Sequence, residues 1–126
     1  MVTILVIFIF SGIHLDIPRE ELEEKYATGS SQFLDLSDGT RIHFRDEGNA
    51  KNPTVILLHG FNGSLLNFDR LVPLLVEDYR LVSIDLPGFG LTGAIPSADY
   101  STESFIDTVT TLTTYLGIEK FSIAGN

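Results

Sequence analysis

Apolar and polar positions change period along this chain. Gln32 to Leu36 and Arg41 to Arg45 are strand-like runs separated by Ser37-Asp38-Gly39, the pattern of a β-hairpin. Thr54-Val55-Ile56-Leu57-Leu58 is continuously apolar after its first residue, which suits a strand buried on both faces of a parallel sheet. Ser64 to Val76 switches to helical spacing, with Leu65, Phe68, Leu71, Val72 and Leu75 on one stripe and Pro73 as a break or kink. Arg80 to Ile84 predicts another strand. Ser101 or Thr102 can cap a helix whose core face is Phe105, Val109, Leu112 and Leu116. The five threonines between 108 and 114 are weak helix formers, so packing must hold that helix. Gly117 ends it, Lys120 to Ala124 is a last strand, and no internal repeat is visible.

The predicted order is a hairpin followed by β-α-β-α-β. Strands alternating with helices imply right-handed crossovers, hence an α/β fold with a mostly parallel sheet. In such sheets the ligand site lies beyond the carboxyl ends of the strands.

The amino-terminal part has a different character. Residues 1–15 contain no Asp, Glu, Lys or Arg, and Val2 to Phe10 is almost wholly apolar. That is shorter than the roughly 20 residues a membrane helix needs. It suits a signal or anchor segment, although no cation precedes it and Ser11-Gly12 is a poor cleavage site. That reading implies membrane association through residues 1–15 and a membrane-anchored or extracytoplasmic location. An upstream start, with Met1 internal, would also explain it. A buried strand is the competing reading and would leave the protein cytoplasmic. Residues 16–30 read as a short acidic helix, Pro18 to Tyr26, and a linker, Ala27 to Ser30. Glu20, Glu21, Glu23 and Glu24 suit a solvated face better than a metal site. The globular part is placed at residues 31–126.

Composition narrows the chemistry. A chain of 126 residues with 44% hydrophobic and 20% charged residues is one folded domain in size and not a disordered tail. Seventeen acids against eight Lys and Arg give a net charge of −9, which disfavours nucleic acid as a partner. With no cysteine, disulfides, thiolate metal sites and a cysteine nucleophile are excluded.

Three turns fall at predicted strand ends: His59-Gly60-Phe61-Asn62-Gly63-Ser64, Asp85-Leu86-Pro87-Gly88-Phe89-Gly90 and Ala124-Gly125-Asn126. Glycine there permits tight turning and close approach to a ligand, and a helix starting at Ser64 would aim free N–H groups into the cleft. In this order and spacing, residues 31–126 resemble the amino-terminal part of the α/β-hydrolase superfamily. His59-Gly60 resembles its oxyanion loop, and Gly125-Asn126 the first two positions of the nucleophile elbow G-x-S-x-G.

The resemblance implies a serine hydrolase of esters, lactones or related activated carbonyls, working on a small-molecule substrate without cofactor or metal. It implies that one oxyanion donor is the backbone N–H of Phe61, whose side chain lines the acyl pocket or packs the loop. His59 and Gly60 shape that loop, and Gly60 and Gly125 leave room for strand and helix. The nucleophile is expected immediately after Asn126, with the acid and base later still, so residues 1–126 alone should be inactive. Two alternatives stay open: an aspartate nucleophile, as in epoxide hydrolases and haloalkane dehalogenases, and a non-catalytic binding protein. Asn126 favours serine, because the aspartate enzymes often carry His before the nucleophile.

Among the histidines, His14 reads as structural or flanking. His43 is expected in a hairpin strand far from the site. His59 reads as loop-shaping, with a Ser64–His59 pair as its alternative, while Ser64 serves as a helix cap. Asp85 is expected to hold its own turn through backbone N–H groups rather than act as a triad acid.

Overall fold

The computed structural model describes residues 17–27 and 29–126. The apolar run Val2–Phe10, His14 and the signal or anchor reading of residues 1–15 lie outside them. Among the described residues, no helix is long and apolar enough to cross a membrane.

The elements are α1 (Arg19–Tyr26), β1 (Ser31–Asp35), β2 (Arg41–Glu47), β3 (Thr54–Leu58), a 3-10 turn (Leu65–Phe68), α2 (Val72–Leu75), β4 (Arg80–Ile84), α3 (Thr102–Tyr115) and β5 (Ser122–Gly125). The strands form one sheet in the order β1-β2-β4-β3-β5. β1 and β2 are the expected hairpin, and β2 also runs antiparallel to β4. β3 lies parallel to both β4 and β5. The Asp38 carboxylate fixes the hairpin turn by accepting from the N–H of Thr40 at 2.8 Å and from its hydroxyl at 3.1 Å.

The continuous apolar run of β3 is explained by burial on both faces. Ile56 packs with Ile42, Phe44, Val82 and Ile84 beneath Val109 and Leu112 of α3. Leu57 packs on the opposite face with Phe68, Val72 and Leu81. At the far end of β4, Arg80 grips Asp46 of β2 with two hydrogen bonds of 2.9 and 2.6 Å. That hydrogen-bonded carboxylate raises the Arg80 pKa above its ordinary value.

The segment 64–76 departs from expectation. Instead of one kinked helix there is a single 3-10 turn, then a single α turn with Pro73 at its start. Proline is tolerated there because the first N–H groups of a helix have no partner within it. The stripe is correspondingly imperfect: Leu65, Phe68 and Val72 are buried, but Leu71 is exposed.

Helix α3 follows expectation more closely. Ser101 is its cap, accepting from the Ser104 N–H at 3.2 Å. Its threonines resolve the conflict between hydroxyl and helix by bonding backwards, Thr108 to the Ser104 carbonyl and Thr113 to the Thr110 carbonyl. The acidic helix α1 is tied to the sheet rather than wholly solvated. Glu20, Glu21 and Glu24 are exposed, but half-buried Glu23 pairs with Arg41 at 2.5 Å. Arg19 donates to the Thr92 carbonyl at 3.0 Å.

Candidate active site

The three parallel strands end level with one another, because Leu58 lies opposite both Ile84 and Gly125. Their turns therefore meet along one edge of the sheet. Phe61 and Asn62 occupy a tight turn closed by the Gly63 N–H on the Gly60 carbonyl at 3.1 Å, with Asn62 in the left-handed region. The Gly60 N–H donates to Asn126 Oδ1 at 3.1 Å, joining the first turn to the third. A Cβ on Gly60 would run into the Asn126 carbonyl, and one on Gly125 would lie 2.9 Å from the Leu58 carbonyl oxygen. Both glycines thus face neighbouring backbone at the strand ends, and neither has room for a side chain.

His59 is buried and uses both ring nitrogens. Its Nε2 accepts from the Leu86 N–H at 3.1 Å, and its Nδ1–H donates to the Gly60 carbonyl at 2.9 Å. One neutral tautomer satisfies both bonds, so His59 links the first turn to the second. The Ser64–His59 pair is not formed. Ser64 Oγ instead accepts from the Leu66 N–H at 3.3 Å.

The Phe61 side chain is 95% exposed, meeting Phe89 edge-on at 5.9 Å between ring centres. Among the described residues its N–H has no acceptor. Beside it opens a cavity of about 700 Å³, lined by residues that include His59, Phe61, Leu86, Phe89, Tyr100 and Phe105. Among the described residues, no Asp, Glu, Lys or Arg lines it.

Asp85 is the hub beneath the turns. Its Oδ2 accepts from the Leu91 N–H of its own turn at 2.8 Å, and its Oδ1 from the Leu65 N–H at 2.7 Å. The first amides of the segment after Ser64 are therefore consumed by Asp85 and Ser64 and do not point free into the cleft. A third donor corrects the expectation for His43. Its Nδ1 lies 2.6 Å from Asp85 Oδ2, with both side chains almost wholly buried. The reason is direction: β2 is antiparallel to β4, so its early residues sit at the carboxyl end of β4. The Asp85 N–H accordingly donates to the His43 carbonyl at 3.0 Å. Thr92 completes the link, accepting from the His43 N–H and donating to the Asp85 carbonyl. Thr92 lies just after the second turn in sequence, but no signal marks its bonds to His43 and Asp85 or marks the lining residue Tyr100, and the helical spacing of Phe105 points to the core face. Among the described residues, no group of three His, Asp or Glu is placed to hold a metal ion.

A hairpin leading into a parallel β-α-β-α-β sheet, with glycine turns gathered at the strand ends, defines a hydrolase-type α/β scaffold. The family model described as the alpha/beta hydrolase fold matches residues 53–126, and the chain belongs to that family. It is 38% identical over 90 residues to an uncharacterized hydrolase of Saccharomyces cerevisiae, covering 71% of this chain and 31% of that protein. It is 34% identical over 80 residues to a human serine hydrolase-like protein, covering 63% and 39%. Among solved structures, a haloalkane dehalogenase loop variant from Bradyrhizobium elkanii superposes with a TM-score of 0.69 at 25% identity, covering 77% of this chain and 31% of that one. The chain thus spans 31% and 39% of the two curated relatives.

Proposed function

We propose that this chain is the amino-terminal part of a serine hydrolase acting on a small, largely uncharged ester, lactone or related carbonyl compound. The observation that carries the reading is the Phe61 N–H, which has no acceptor among the described residues, beside a large apolar cavity and in a turn held to Asn126 by the Gly60 N–H. A carbonyl becoming tetrahedral gains negative charge, and a fixed N–H aimed at that oxygen stabilises it. The Gly60–Asn126 bond would fix that donor relative to a nucleophile immediately following Asn126. Serine would attack the carbonyl, and water would then release the acyl group. The membership and the serine hydrolase-like relative support hydrolysis. The dehalogenase neighbour is the observation favouring a second reading, an aspartate nucleophile forming an alkyl ester.

Phe61→Ala and Phe61→Pro in the whole protein test the donor. Alanine keeps the N–H, and proline removes it. The expected result is that Phe61→Pro lowers kcat by about 10²-fold more than Phe61→Ala, on the scale of losing one oxyanion donor. Equal losses in proteins that fold equally well would remove Phe61 from the oxyanion hole. Mapping of a fluorophosphonate adduct decides the nucleophile: an adduct on the residue after Asn126 establishes serine, and its absence in active enzyme favours aspartate.

A further inference from the structure

His43 and Asp85 belong to a hydrogen-bonded chain that extends away from the cavity. His43 Nε2 lies 2.9 Å from Ser31 Oγ, and His43 Nδ1 lies 2.6 Å from Asp85 Oδ2. Serine, histidine and aspartate are thus connected in the order that activates a serine nucleophile. β1 and β2 bring this about through their register. Ser31 lies opposite Arg45, and His43 lies opposite Phe33, so all four side chains share one face of the hairpin.

We propose that Ser31 is a second, latent nucleophile, activated by His43 and Asp85 and acylated by small activated acyl donors. The assignment of protons supports it. In the neutral tautomer whose Nδ1–H is donated to the Asp85 carboxylate, His43 Nε2 carries a lone pair that faces Ser31 Oγ. The Arg45 Nε–H donates to Ser31 Oγ at 3.3 Å, which occupies one lone pair and directs the hydroxyl proton to His43 Nε2. The remaining lone pair of Ser31 is free to attack. Asp85 is itself held by two backbone N–H groups, and Phe33 packs 4.9 Å from the imidazole, so the relay is rigid. His43 is 1% exposed, whereas Ser31 is half-buried on an outermost described strand of the sheet, so Ser31 is the outer residue of the relay. A cavity of about 260 Å³ is lined by Ser30, the neighbour of Ser31 in sequence, and by Arg45, whose Nε–H reaches Ser31 Oγ.

In the step proposed, Ser31 Oγ bonds to the acyl carbon of an aryl ester and the bond from that carbon to the aryl oxygen breaks. The serine proton passes to His43 Nε2 and then to the departing aryl oxide. The products are an acyl-serine ester and the phenol. This reaction is independent of the cavity beside Phe61.

The native protein is incubated with p-nitrophenyl acetate, and acetylated serines are located by peptide mass spectrometry. A nucleophile elsewhere in the chain is thereby read separately. General-base assistance is worth about 10²-fold or more, so Ser31 should acetylate about 10²-fold faster than the exposed Ser37 and Ser97. His43→Gln should bring Ser31 down to their rate while Ser37 is unchanged. If that variant does not fold, the wild-type protein in denaturing urea makes the same comparison, because unfolding separates the relay. Ser31 reacting no faster than Ser37 in the folded protein overturns the proposal, as does an enhanced rate that survives in a folded His43→Gln variant or, where that variant does not fold, survives urea.

Discussion

At the residue scale, Asp85 shows how one carboxylate organises three segments. It gathers the His43 ring, the Leu65 N–H and the Leu91 N–H, so the hairpin and two site turns share a single acceptor. Gly90 makes this possible: it has φ +49°, and a Cβ there would overlap the Asp85 carboxyl group. Gly90→Ala should therefore cost about 2–4 kcal/mol. Left-handed backbone contributes about 1–2 kcal/mol of this, and displacing an acceptor from buried donors the rest. Urea unfolding measures the loss, and a cost below about 0.5 kcal/mol would show that the turn relaxes around the new methyl group. Asp85 was legible as a turn residue because Asp-Leu-Pro-Gly is a local signal. Its bond to His43 was not, because it depends on which strand lies beside β4 and in which direction. Nothing within Arg41–Arg45 encodes that.

At the element scale, strands buried on both faces were the most legible. β3 and β4 have the limits expected, Thr54–Leu58 and Arg80–Ile84: β3 is an unbroken apolar run after Thr54, and β4 is a short, mostly apolar run between Arg80 and Asp85. The segment 64–76 was misread because a helical stripe records which positions are buried and not which backbone hydrogen bonds form. Two separate turns can bury Leu65, Phe68 and Val72 just as well. The start of α3 was legible through its cap and yields a prediction. Ser101 caps the helix, and exposed Asp99 receives the Ser101 N–H at 3.0 Å, which lowers the Asp99 pKa below its ordinary value. A depressed carboxyl pKa contributes stability above the unfolded value, and that contribution is lost as pH falls through the folded value. Ser101→Ala should cost about 1 kcal/mol, the usual worth of an N-cap. Asp99→Asn should remove only the acid-dependent part. Thermal melts at neutral and at acidic pH separate the two. Indistinguishable acid sensitivity in wild type and Asp99→Asn would mean that Asp99 does not support the cap.

At the scale of the whole molecule, the site turns gather at the carboxyl ends of the parallel strands, and exposed apolar surface continues from them along β5. β5 pairs with β3 alone, and its outer edge has no partner among the described residues. Ile123 is 60% exposed and Phe121 37%. Together with Leu58, Phe105, Ile106 and Val109 they line a second apolar cavity of about 530 Å³. An interior-type strand with an open edge is a template for intermolecular pairing. The net charge of −9 opposes association, but its field is screened within about 8 Å at physiological salt. Residues 1–126 expressed alone should therefore self-associate, and more so as salt is raised. Ile123→Lys adds a desolvation cost to pairing at that edge and reduces the apolar surface on offer. Light scattering across a salt series should show the variant shifted towards monomer at every salt concentration. An oligomer that forms equally in both proteins would place the association away from β5. A wild-type chain that stays monomeric at high salt would mean that this edge does not template pairing.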